Sequence, residues 1–376
     1  MSDLQQLLSQ HVDSGAIPGA VALIARGDQI LDRAAVGAMD LASGAPMTED
    51  AIFRIASLTK PLTATAVMLL VDDGTLTLDA PVAEWLPELA DPMVVRTPSS
   101  PVDDVVPANR PITVEDLLTS QAGYGFPSDF SLPAVQALFE VQKDGREIQS
   151  FLPEDDWIAA LSRIPLLHHP GEAWLYDTCS TLQGILVTRA SGHPYADFLA
   201  TRLLDPLQMV DTAFVVAPEK LTRFTSYYRN TESGLELADP PTGQWSTPSP
   251  FPLPSGGLTG TAADYLNFTH MLLANGTTPS GHRLLSEHAI HQMLTDHTTP
   301  ATRRTADLFL DQDQGWGYGG SVDPTGRYGW VGGTGTAAHV IPTTNTTTIL
   351  LTQVAMDSPV PATYLNSFWH HVAREM

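Results

Sequence analysis

Strand-like segments lie at both ends of this 376-residue chain, and helical patterns fill its middle. Near the start, GAVALIARGDQILDRAAVG (19–37) sets two apolar runs around Arg26-Gly27-Asp28, a hairpin signal. Near the end, RYGWVGG (327–333), TAAHVIPT (336–343) and TTTILLTQVA (346–355) read as strands separated by turn residues. Between them EDDWIAALSRI, STLQGILVTRASG, YADFLATRLLDPL and TAADYLNFTHMLLANG carry helical periodicity. Amphipathic helices open the chain (MSDLQQLLSQHVDSG) and close it (PATYLNSFWHHVAREM). This order predicts one sheet assembled from the two termini, with a helical insertion. Residues 1–80 and 300–376 are expected to form the sheet region and 81–299 the mostly helical region of a single compact unit. Residues 94–111 read as a loop. Thr113 is a candidate N-cap for a short helix ended by Gly123. The Pro/Gly-rich stretch 239–257 predicts a long loop, and such loops often line sites.

Hydrophobic residues are 43% and charged residues 16%, a globular balance. The net charge of −23 argues against nucleic acid, whose affinity rests on Lys and Arg, and against an anionic membrane surface. Cys179 is the single cysteine, so no intrachain disulfide forms. No signal peptide and no run of about 20 apolar residues is evident. These features lead to the expectation of a cytoplasmic protein.

Ser57 and Lys60 stand three apart at the start of an apolar helix expected over 57–71, with Gly74 closing it. That spacing stacks them on one helix face. A serine hydroxyl becomes a nucleophile when a base takes its proton. Lysine serves as that base only if its pKa falls well below its usual value, and burial and the positive end of a helix both push it that way. The expectation is an uncharged Lys60. The alternative is a serine cap followed by a surface lysine, and S-x-x-K alone does not separate the two.

The surrounding residues do. FRIASLTKPLTATAVMLLVDDGTLTLDAPVAEWLPEL (53–89) resembles the serine β-lactamase and penicillin-binding protein superfamily, in its class C-like and esterase branch. ITVEDLLTSQAGYGF and PSGGLTGTAADYLNF are similar to later segments of that family, so the resemblance spans nearly the whole chain. It implies an α/β (α+β) fold of the β-lactamase/transpeptidase type, an antiparallel sheet flanked by helices, with the site between the sheet region and the mostly helical region. It implies catalysis by Ser57 and Lys60, with Tyr176 of HHPGEAWLYDT as second acid/base. Thr178 stands where β-lactamases carry asparagine. Trp330-Val331-Gly332 replaces the family's cationic Lys/His-Thr/Ser-Gly strand and is nearest to family VIII carboxylesterases. Gly333 and Ser57 would supply the oxyanion hole. Trp330, Gly332, Thr178, Tyr124 and Phe126 would border the substrate.

The resemblance implies a serine hydrolase acting through an acyl-Ser57 intermediate, first as a carboxylesterase on small, neutral, short-acyl esters. A β-lactamase, a D-aminopeptidase, a cyclic-amide hydrolase and an acyltransferase remain open, as does a non-catalytic binder. No cofactor or metal is implied. His288 and His291 lie one turn apart but lack HExxH, so they read as surface residues, as do His168-His169 and His370-His371. Cys179 reads as a small buried residue.

Overall fold

The computed structural model describes residues 2–375. At its centre is an eight-stranded sheet in which every pairing is antiparallel. The N-terminal end supplies β1 (Gly19–Arg26), β2 (Gln29–Asp40) and β3 (Ala45–Pro46). The C-terminal end supplies β4 (Gly315–Trp316), β5 (Ser321–Val322), β6 (Tyr328–Gly332), β7 (Thr336–Ile341) and β8 (Thr346–Thr352). The order is β4-β5-β6-β7-β8-β1-β2-β3, so the two ends of the chain meet where β8 pairs with β1. The hairpin expected at Arg26-Gly27-Asp28 closes on the pair Arg26 and Gln29.

Side chains alternate along β1 because the strand period is two. Ala20, Ala22 and Ile24 face the layer of α1 (Asp3–Asp13) and α5 (Thr363–Glu375), packing with Leu4, Leu8, Leu365 and Phe368. Val21, Leu23 and Ala25 face the larger core, which includes α2 (Thr59–Asp72), α3 (Thr178–Ser191) and α4 (Ala262–Leu273). Leu4 and Leu8 stand one turn apart on α1, and Ser2 caps that helix by accepting from the Gln5 N–H. Helix α2 is buried on all sides from Thr59 to Leu70, as its nearly unbroken apolar sequence requires.

Two segments differ from the sequence expectation. Residues 94–111 are not all loop: Met93–Val95 pairs with Val105–Pro107 in a small ribbon. The adjacent valines carry the strand preference, which the Pro and Asp residues between them mask. Within the middle region, Tyr227–Thr231 and Gly234–Asp239 form a hairpin. Thr113 caps Val114–Leu118 in a reciprocal box with Asp116. No helix of the described residues is long and apolar enough to cross a membrane.

Candidate active site

Ser57 lies in the tight turn Ala56–Leu58, immediately before α2. Ala56 adopts φ +44°, a left-handed conformation costly for a residue with a Cβ. Several bonds hold it there. The Thr59 hydroxyl donates to the Ala56 carbonyl at 2.7 Å, and the Thr336 hydroxyl of β7 donates to Ile55 at 3.1 Å. Thr334 donates to Arg54, and the Ile55 N–H donates to Leu258. Gly332 ends β6 against this turn. A Cβ on it would stand 2.5 Å from the Ile55 carbonyl oxygen and 2.2 Å from Thr336 Oγ1. Gly332, expected to border the substrate, thus packs against the serine turn instead.

The Lys60 ammonium is only 1% exposed, and it has three acceptors for its three N–H bonds. They are Asp177 Oδ1 at 2.6 Å, the Ser255 carbonyl at 2.7 Å and Ser57 Oγ at 2.9 Å. It also lies 4.7 Å from the centre of the Tyr176 ring. Burial works against its charge, but the Asp177 carboxylate and Tyr176 outweigh burial and raise its pKa above the ordinary lysine value. The expectation of an uncharged Lys60 is therefore overturned. The sequence shows the burial but not the carboxylate that compensates it.

Tyr176 is fixed by a pair of backbone hydrogen bonds with Phe126, each 3.0 Å. Its hydroxyl donates to Ser57 Oγ at 2.8 Å and accepts from Trp330 Nε1 at 2.9 Å. The indole thus stands behind Tyr176, packed edge-on to Trp316 at 4.8 Å. Ser57 Oγ accordingly accepts from both Lys60 and Tyr176, and when one partner has given up its proton that contact can reverse to receive the serine proton while the other partner holds the oxygen.

The chamber in front of Ser57 has a volume of about 400 Å³. Phe126, Phe130, Phe139 and Phe309 form its apolar wall, and Phe309 stacks on Tyr176 at 4.7 Å. Lys143, Asp144 and Arg146 occupy another part of the wall, with Arg146 paired to Asp144 at 2.7 Å. Ser255 and Gly256 bring the expected long loop to the site.

Phe126 borders the chamber as expected, but the other four expected substrate contacts, Tyr124, Thr178, Trp330 and Gly332, do not. Tyr124 is buried below, donating to the Ile164 carbonyl at 3.1 Å, and burial raises its pKa. Thr178 opens α3 fully buried, its hydroxyl without a partner among the described residues. Trp330 touches Tyr176 in place of the chamber. Gly333 follows β6 with open space at its Cβ position. Asp177, Gln142, Phe130, Phe139 and Phe309 were not anticipated. Asp177 adjoins Tyr176 in sequence, but nothing there signals its turn geometry. Cys179 is buried and its thiol is pushed up to about 12 by desolvation. His288 and His291 are exposed as expected, whereas His371 is buried. No cluster of metal-ligating side chains occurs among the described residues.

A serine joined to lysine and tyrosine, set on an antiparallel sheet at the mouth of an apolar chamber, defines a serine hydrolase of the β-lactamase fold. The chain belongs to the Beta-lactamase family, whose model matches residues 4–365. It is 33% identical to an uncharacterized protein of Mycobacterium tuberculosis, over 95% of this chain and 91% of that one. It is 31% identical to Esterase EstB of Burkholderia gladioli, over 72% of this chain and 70% of that one. Among solved structures, EstCE1, described as a hydrolase with promiscuous acyltransferase activity, superposes with a TM-score of 0.82 at 22% identity. That superposition covers 98% of this chain and 97% of EstCE1.

Proposed function

We propose that the protein is a carboxylesterase acting on neutral esters through an acyl-Ser57 intermediate. The hydrogen-bonded series Trp330–Tyr176–Ser57–Lys60 carries this reading. Once its own hydroxyl proton has passed to solvent, the Tyr176 oxygen takes the Ser57 proton across the 2.8 Å contact while Oγ attacks the ester carbonyl. The Trp330 N–H and the Lys60 ammonium meet negative charge on the phenolic oxygen. The carbonyl oxygen, now negative, rests on the backbone N–H groups of Ser57 and Gly333, donors each worth about 2.7–4 kcal/mol. Tyr176 returns the proton to the departing alcohol. Water then attacks along the same route, and the acid leaves.

The charge around Ser57 favours neutral substrates. Trp330 occupies the place where β-lactamases hold a cation, and the Lys60 charge is already paired with Asp177. The chamber, about 400 Å³ with a phenylalanine wall, extends the range past short acyl groups to aryl and branched ones. The likeness to Esterase EstB supports the ester preference. A second reading, transfer of the acyl group to an alcohol in place of water, draws support from the same apolar chamber, which can hold an alcohol acceptor.

Hydrolysis of p-nitrophenyl butyrate beside a chromogenic cephalosporin tests the proposal. The ester is expected to turn over faster, and Ser57→Ala to abolish the activity. Faster turnover of the cephalosporin would reverse the ester assignment, and an undiminished rate in Ser57→Ala would overturn the mechanism.

A further inference from the structure

Asp177 sits between Tyr176 and α3 at φ +79°, ψ −59°, the centre of a γ-turn closed by the Thr178 N–H donating to the Tyr176 carbonyl at 3.2 Å. Such turns are rare and strained, and strained backbone concentrates at functional sites. The strain has a visible outcome. It directs the carboxylate back across the chamber wall, where Oδ1 meets Lys60 at 2.6 Å and Oδ2 accepts from Gln142 Nε2 at 2.7 Å. Gln142 is itself buried and comes from the end of the distant helix Pro133–Val141. The carboxylate remains 21% exposed, in the wall beside Ser57.

We propose that Asp177 is a positioning residue that fixes the division of labour in this site: it commits Lys60 to remain an ammonium and leaves Tyr176 as the acceptor of the Ser57 proton. The proposal rests on the acyl-Ser57 reading above and deepens it. Without the carboxylate, Lys60 would keep only the Ser255 carbonyl and Ser57 Oγ as acceptors. A neutral amine satisfies both with its two N–H bonds and turns its lone pair elsewhere. Burial would then act on Lys60 with no full charge to offset it. The other ionisable groups facing this pair are Tyr176, Cys179 beneath it on α3, and Lys143, Asp144, Arg146 and Asp357 around the chamber. Arg146 is paired to Asp144, which leaves Asp177 as the carboxylate in contact with Lys60.

The test is Asp177→Asn, because asparagine tolerates positive φ and keeps both side-chain positions while removing the charge. The readout is the pH dependence of inactivation by a p-nitrophenyl alkylphosphonate. In that single event Ser57 Oγ bonds to phosphorus, p-nitrophenolate leaves, and the serine proton passes to Tyr176. The unaltered enzyme is expected to show no loss of rate up to about pH 10, because Lys60 holds its proton beyond the usual lysine range. Asp177→Asn is expected to lose at least about tenfold in rate at pH 9, with an alkaline limb displaced downward by at least about one unit. An unchanged limb overturns the proposal. So does a rate that climbs with pH in the variant where that of the unaltered enzyme does not, because that would make the free amine the competent base. Circular dichroism of the variant confirms that it folds. The esterase reading fails separately: an enzyme that is phosphonylated but turns over no ester loses that reading and keeps this one.

Discussion

Ser57 Oγ accepts two hydrogen bonds, and the two donors have different capacities. Lys60 has spent all three of its N–H bonds, whereas Tyr176 can pass a proton in either direction. Trp330 completes this arrangement because an indole N–H donates and never accepts. Replacing it with phenylalanine keeps most of the packing against Trp316 and removes only the donor. Trp330→Phe is expected to lower kcat/KM roughly ten- to hundredfold, the worth of a hydrogen bond to a charged group. Steady-state kinetics on a p-nitrophenyl ester measure it, and an unaltered kcat/KM contradicts the assigned role. At this scale the sequence was legible where spacing carries the chemistry. Ser57, Lys60 and Tyr176 stand in recognisable register. The charge on Lys60 was misread because it depends on Asp177, whose contact requires a backbone turn that no residue type announces. Trp330 was found but given a substrate contact, because its position on β6 does not reveal which way the indole N–H points.

Between elements, the site depends on how closely the loop 239–257 approaches α3. Gly184 lies inside α3, where alanine ordinarily stabilises a helix by about 1 kcal/mol. Here a Cβ would stand 2.1 Å from Pro254 Cγ. The Pro254 carbonyl accepts from Thr63 at 2.6 Å, and the next carbonyl, of Ser255, accepts from Lys60. Gly184→Ala is therefore expected to destabilise by about 1–3 kcal/mol through overpacking, and to reduce activity by displacing the Ser255 acceptor. A thermal melt decides the sign, and a higher melting temperature contradicts the packing account. The long loop and α3 were both evident from composition and periodicity. Their contact was not, because residues 184 and 254 meet only through the tertiary fold. The same holds for the phenylalanine wall, drawn from positions 126, 130, 139 and 309.

For the whole molecule, the meeting of the chain ends at β1 and β8 is what brings β6 beside the serine turn. The residues that complete the site come from 57–60, 176–177, 255 and 330, so no local segment contains it. The five longer strands of the sheet were legible because they read as apolar runs at both termini, whereas the two-residue strands β3, β4 and β5 were not. The ribbon at 93–107 and the hairpin at 227–239 were not, being short and rich in turn-forming or polar residues. The net charge of −23 adds a long-range bias against anionic substrates, in the same direction as the local pairing of Lys60 with Asp177. The proposed mechanism comes down to one covalent event at one oxygen. Intact-protein and peptide mass spectrometry during turnover of a slowly hydrolysed aryl ester observes it directly. The expected result is a transient mass increase equal to the acyl group, located on the peptide containing Ser57 and absent from Ser57→Ala. Hydrolysis with no such adduct, or with an adduct that persists in Ser57→Ala, would contradict it.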